Sequence, residues 1–155
     1  RNDSLGLFND IADQGVICRT SEFVKSKVRF YYKQNTPTYY HFNRKVDDLI
    51  ILQFDSSLLR DYQCYYSDGN AASRYSKITG MVSEAINFDW ECIFDRSIIY
   101  DFEDKQAIIR KRDAELLVES PVCVDKYLVK IIVKNENVAE KIKQNFPKYG
   151  KILLS

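Results

Sequence analysis

The chain has 155 residues, enough for one domain with a real core and too few for two ordinary ones. It is 45% hydrophobic and 29% charged, the profile of a soluble globular protein, and its net charge of +1 excludes a global polycation as the means of holding nucleic acid. One histidine and four dispersed cysteines without a CxxC speak against a zinc site, and no apolar run approaches the roughly 20 residues that span a bilayer.

Cys18, Cys64, Cys92 and Cys123 read as reduced, buried thiols of a cytoplasmic protein, and no signal peptide is visible. The chain starts at Arg1 without a methionine, so a segment upstream is expected to be missing. The 11 Tyr, 9 Phe and 1 Trp suit either stacking on bases or the core of a sheet protein.

Asp3 or Ser4 can cap a first helix whose Leu5, Phe8, Ile11 and Ala12 share a face, with Gly15 ending it. The β-branched and aromatic stretch KVRFYYK (27–33) predicts a strand, and TPTYYHFNR after it a turn or short helix. DDLIILQFD (47–55) is nearly continuous in apolar residues, which predicts a strand buried on both faces. YQCYY (62–66) predicts another strand.

In SDGNAASRYSKITGMVSEAI, Asp68 or Asn70 can cap a helix with Ala71, Tyr75, Ile78 and Val82 on one side. FDWECIFD reads as weakly helical. AELLVE (114–119) and YLVKIIVKN (127–135) predict strands, VAEKIKQNF (138–146) an amphipathic helix, and KILLS a closing strand. Strands and helices mix without regular βαβ alternation, so the predicted class is α+β, in one domain over 1–155.

Local chemistry narrows to carboxylates. His41 has no nucleophile signature beside it, and the lone Gly69 of SDGNAAS makes neither a P-loop nor a dinucleotide fingerprint. Glu115 stands inside an apolar strand, on the same face as Leu117 and Glu119. At about 3.3 Å per residue the two glutamates lie roughly 13 Å apart, too far for a paired-acid site. A catalytic carboxylate here works singly; the competing reading is two glutamates in solvent. The run KQAIIRKRD (105–113) before it carries Lys105, Arg110, Lys111 and Arg112, which suit either phosphate contacts or a solvated loop.

Five segments, in order, resemble one family. KVRFYYKQNTPTYY is similar to a strand-and-turn motif of the form YVPFYFxPRxPMLY. SDGNAAS resembles a loop after the second core strand, FDWECI an LDWxxI segment, and RDAELLV a QAEFLV strand. VAEKIKQNFPKYGKILLS fits a final helix and strand. The family is that of the DarT-type nucleic-acid ADP-ribosyltransferases, toxins of bacterial toxin–antitoxin and phage-defence systems.

The resemblance implies an ADP-ribosyltransferase-like fold with a central split sheet and flanking helices. It implies NAD as ADP-ribose donor and no metal. The acceptor is a base of single-stranded DNA or RNA, the partner a cognate antitoxin, and no membrane is involved. The glutamate of the AEFLV strand is catalytic in the family, which carries over onto Glu115. Breaking the nicotinamide–ribose bond develops an oxocarbenium-like cation, which a carboxylate bonded to the ribose stabilises and orients. The same carboxylate can take the proton of the attacking base nitrogen.

Tyr31, Tyr32 and Tyr40 match positions near the nicotinamide pocket, and Arg19 lies where the family carries an NAD-covering segment. Asn70 and Ser73, with Arg110, Lys111 and Arg112, are the expected nucleic-acid contacts. The family's proline, arginine and methionine in the strand-and-turn motif are Arg29, Asn35 and Thr38 here. Its histidine–threonine NAD motif falls before Arg1, so that motif and part of the NAD-covering segment are expected to be missing from 1–155. A domain that keeps the fold, has lost NAD capture and binds nucleic acid or a partner is the alternative. Transfer to a protein side chain is a third possibility, without a positive sign in the sequence.

Overall fold

The computed structural model describes residues 22–99 and 104–154. The predicted first helix, Arg19 and Cys18 lie outside them. In chain order the elements are α1 (Glu22–Lys25), β1 (Lys27–Tyr31), α2 (Pro37–Asn43), β2 (Ile50–Phe54), α3 (Leu58–Asp61), β3 (Cys64–Ser67) and β4 (Ile78–Thr79). There follow α4 (Val82–Ala85), α5 (Trp90–Phe94), α6 (Lys105–Arg112), β5 (Glu115–Glu119), α7 (Val124–Tyr127) and β6 (Leu128–Val133). α8 (Glu136–Asn145), a 3₁₀ segment (Pro147–Ile152) and β7 (Leu153–Leu154) complete the order.

The strands form two sheets, as expected of an α+β fold with a split sheet. The first has the order β1-β5-β3-β4 and is antiparallel throughout. The second has the order β2-β6-β7, with β2 antiparallel and β7 parallel to β6. Alternation along β5 gives it two unlike faces. Leu116 and Val118 point into a cluster with Val28, Leu58, Cys64, Val122 and Tyr127. Leu117, fully buried, packs on the opposite face with Val24 and Ala71, between Glu115 and Glu119.

The second sheet takes α8 on its face. Val138, Ala139 and Ile142 line one side of the helix and bury against Ile131 and Val133. Asn135 caps this helix by accepting the Asn137 N–H. Phe54 packs against both clusters and so joins the two sheets.

Three expectations change. β2 is an edge strand, so Ile50, Leu52 and Phe54 pack inward half-buried, Gln53 is exposed, and the strand is not covered on both faces. The stretch 68–82 is not one helix: 68–77 connect a hairpin, 78–79 are its second strand, and Val82 opens α4. Ser67 pairs with Ile78 and Tyr66 with Thr79, and Asp68 exchanges two hydrogen bonds with Lys77, donating to its carbonyl and accepting its N–H. The apolar spacing of Ala71 and Ile78 therefore serves a packed loop and a strand. The basic run is the helix α6, not a loop. Among the cysteines, Cys64 is buried, Cys92 is half-buried and Cys123 is exposed, so burial holds for only one of the three described.

Candidate active site

β1 and β5 run antiparallel with Tyr31 opposite Glu115 and Lys27 opposite Glu119. Lys27, Arg29 and Tyr31 thus share a face with Glu115, Leu117 and Glu119. Two ion pairs result. Lys27 Nζ lies 3.1 Å from Glu119 Oε1, where the glutamate is half-buried. Arg29 meets Glu115, whose side chain is only 2% exposed.

The Glu115 carboxylate is bonded on both oxygens. Arg29 Nη2 donates to Oε1 at 2.6 Å and to Oε2 at 2.7 Å, and Arg29 Nε donates to Oε2 at 3.2 Å. The backbone N–H of Ala71 donates to Oε2 at 2.7 Å. Burial raises the Glu115 carboxyl above its ordinary 4.5, while Arg29 and the Ala71 N–H pull the other way and Asp113 adds to the rise. Burial wins, so the proton is held more tightly than by a free glutamate.

The loop that offers Ala71 is itself fixed. Asn70 Oδ1 accepts the Ala72 N–H at 2.9 Å and faces Arg29 Nη2 at 3.4 Å. Asn70 N–H donates to the Arg110 carbonyl at 2.9 Å, and Ser76 Oγ donates to the Asn70 carbonyl at 2.7 Å. Gly69 allows this approach: a Cβ there would stand 2.4 Å from Arg110 Nη1 and 3.0 Å from the Arg110 carbonyl oxygen.

On the other side, buried Asp113 accepts from Thr38 twice, from its N–H at 3.0 Å and its Oγ1 at 2.9 Å. This ties the first turn of α2 to the start of β5. Thr36, wholly buried, caps the same helix by accepting the Tyr39 N–H. Tyr31 leaves part of its ring in solvent while its hydroxyl lies among Thr38, Asp113 and Glu115. Burial first, and the Glu115 charge second, push its pKa up to about 12, so it stays a neutral hydroxyl.

Of the residues the sequence reading singled out, Glu115, Tyr31 and Asn70 come together. Tyr32 does not join them. Its ring packs edge-on to Trp90 and into the core, and its hydroxyl accepts the Ser67 N–H. Tyr40 is exposed on α2, against Tyr39. Ser73 turns inward to its own loop, accepting the Tyr75 N–H.

Of the three basic residues expected on nucleic acid, two are engaged within the fold. Arg112 is buried and spends its guanidinium on Asp95 and on the Ser97 carbonyl and hydroxyl, which removes it from any surface. Arg110 locks the Gly69 loop through Asp68 at 3.0 Å and Ser76 at 3.1 Å. Lys111 pairs with Asp89 at 2.6 Å on the surface and is the most exposed of the three.

Sequence reasoning missed Arg29, the Ala71 N–H and Asp113. One signal was present: cations at 27 and 29 and anions at 115 and 119, all in strand alternation, are complementary across an antiparallel pair.

A family model for "ssDNA thymidine ADP-ribosyltransferase, DarT" matches residues 1–153. The chain belongs to the DarT family. By family it is an ADP-ribosyltransferase, a class that takes ADP-ribose from NAD. Solved structures agree on the fold. Thermus sp. 2.9 DarT in complex with NAD+ superposes with a TM-score of 0.63 at 16% identity, over 83% of this chain and 67% of that one. The same protein in complex with ADP-ribosylated ssDNA gives 0.63 at 17% identity, over 96% and 74%. Thermosipho africanus DarTG in complex with ADP-ribose gives 0.58 at 21% identity, over 96% of this chain and 39% of that one. No curated protein matches the chain.

The family's segments have physical reasons here. Asp89 of FDWECI caps α5 by accepting the Cys92 N–H, and Trp90 stacks on Phe94 and packs against Tyr32 and Phe88. Among the described residues no group of three His, Cys, Asp or Glu could hold a metal, and no helix is long and apolar enough to cross a membrane.

Proposed function

We propose that this chain transfers ADP-ribose from NAD to a base of single-stranded DNA, with Glu115 as the catalytic carboxylate. The observation that carries the reading is the burial of Glu115 at the start of β5, oriented by Arg29 and the Ala71 N–H. Such a carboxylate is a fixed charge in a poorly screened place, where it acts more strongly on a developing cation than it would in water. The donor set fits NAD at its reacting end. Glu115 can accept a ribose hydroxyl, and the neutral hydroxyl of Tyr31 and the carboxamide of Asn70 flank it.

When bound, NAD supplies the ADP-ribosyl group and nicotinamide as leaving group. The chain's own residues orient the ribose, exclude water and hold the charge that opposes the forming cation. The acceptor base must be unstacked before its ring nitrogen can be reached, which favours a single strand. Thymidine is the base that the family's description names. The structures of relatives with NAD+ and with ADP-ribosylated ssDNA support donor and acceptor alike. The biological setting of this reading is a toxin or phage-defence effector acting in the cytoplasm and restrained by an antitoxin, in keeping with the DarTG relative. RNA is the competing acceptor.

A second reading has one observation of its own. Glu115 is almost sealed, and the Arg29 guanidinium lies on it, as in a domain that keeps the fold without turnover. One assay separates these. The protein is incubated with NAD and, separately, single-stranded DNA and RNA oligonucleotides that contain or lack each base. Mass spectrometry then looks for the gain of one ADP-ribose. Modification confined to thymine-containing DNA supports the first reading; RNA-only modification moves the acceptor; no modification and no NAD binding supports the second.

A further inference from the structure

Glu115 presents a physical problem that its own strand does not solve. A carboxyl this deeply buried takes a proton readily, and a protonated one cannot oppose a forming cation. The groups that face it from each packed element are few among the described residues. β1 brings Arg29 and Tyr31, with Tyr32 just beyond the strand. The residues leading into β5 bring Asp113. The hairpin loop brings the Ala71 N–H and Asn70. Tyr31 and Tyr32 are neutral hydroxyls and Asp113 is an anion, so none of these favours a second negative charge. In this set Arg29 is the cation.

Its geometry is as specific as its charge. The guanidinium spans Oε1 and Oε2 and adds a third bond through Nε, a planar fork that a lysine cannot reproduce. The neighbouring pair makes the contrast. Lys27 and Glu119 sit on the same two strands, but Glu119 is 40% exposed and meets its cation at a single oxygen, 3.1 Å away.

We propose that Arg29 is the positioning residue of the site: its guanidinium bonds both oxygens of Glu115 and fixes the carboxylate's orientation. This rests on the reading of Glu115 as the catalytic carboxylate. Because the Arg29 side chain is 22% exposed and Glu115 only 2%, the guanidinium is also the outer member of the pair. A ribose hydroxyl that reaches Glu115 must therefore share the carboxylate with Arg29 or draw the guanidinium aside.

The test has two arms. In protein labelled with ¹³C at glutamate carboxyls, assigned with Glu115→Gln, the Glu115 signal is titrated in wild type, Arg29→Gln and Arg29→Lys. Arg29→Gln moves the midpoint up by about one to three pH units, and Arg29→Lys recovers part of this. In turnover, the acid limb of the kcat profile moves with the midpoint, and kcat falls. An unchanged midpoint and an unchanged acid limb in Arg29→Gln overturn the proposal.

Should that variant not fold, the wild type decides. The Arg29 Nε resonance must titrate with the Glu115 midpoint, and its indifference to that midpoint overturns the proposal equally. Failure of the function reading looks different: a wild type that shows the coupled titration but modifies no oligonucleotide leaves Arg29 in this role and removes the reaction.

Discussion

Gly69→Ala tests the packing behind the site. The added Cβ would meet Arg110 Nη1 at 2.4 Å, Ser76 Oγ at 2.9 Å and the Arg110 carbonyl oxygen at 3.0 Å. The guanidinium can swing away, but it then leaves Asp68 and Ser76. A partly buried ion pair of this kind is worth about 1 kcal/mol and the hydrogen bond about another 1 kcal/mol. The contact with the backbone oxygen needs a further small shift, and it falls where Asn70 N–H bonds the Arg110 carbonyl. The expected loss is about 2 kcal/mol, or roughly 4–8 °C in Tm for a chain of this size. Urea unfolding should show a lower midpoint with an unchanged slope. Arg110→Met should remove most of the cost, because the clashing guanidinium and the two bonds it would forfeit are then already gone. Gly69→Ala at wild-type stability, or an equal cost in the Arg110→Met background, would refute the packing argument.

Two further outcomes follow from the same face of β5. Leu117 is fully buried between the two glutamates and packs on Val24 and Ala71, so Leu117→Ala should cost about 2–5 kcal/mol by denaturant unfolding; a cost below about 1 kcal/mol contradicts this placement. The second concerns pH. The folded Glu115 carboxyl lies above its ordinary 4.5, so the folded state holds the proton more tightly than the unfolded state does. Its contribution to stability is fully present below pH 4.5 and is lost as pH rises through the folded value. Relative to Glu115→Gln, the wild type should therefore lose stability across that rise, and parallel stability–pH curves for the two proteins would contradict the direction.

Much of the fold was readable because its elements announce themselves locally. KVRFY, ELLVE and LVKIIV carry the β-branched and aromatic residues of strands, and Val138 and Ile142 the spacing of an amphipathic helix. The failures share one cause. Ala71 and Ile78 sit at helical spacing, but what decides their segment is the pairing of Ser67 with Ile78 and of Asp68 with Lys77. The basic run looked outward because its partners are distant in sequence. Asp68, Asp89 and Asp95 each turn one of its cations inward or along the surface. Glu115 was legible as a candidate from its apolar setting, and the family resemblance weighted it. Its burial was not, because that needs Arg29 from a strand 86 positions away in the chain.

The central claim is that the Glu115 carboxylate drives the transfer. Its most direct test compares wild type and Glu115→Gln at neutral pH, with NAD and a thymine-containing single-stranded oligonucleotide, by the rate of ADP-ribose gain in the mass spectrum. The variant must first be shown to fold. The account predicts a loss of at least about 10²-fold, the scale of removing one preorganised group that acts on developing charge. A folded Glu115→Gln protein that modifies the oligonucleotide at the wild-type rate would contradict it.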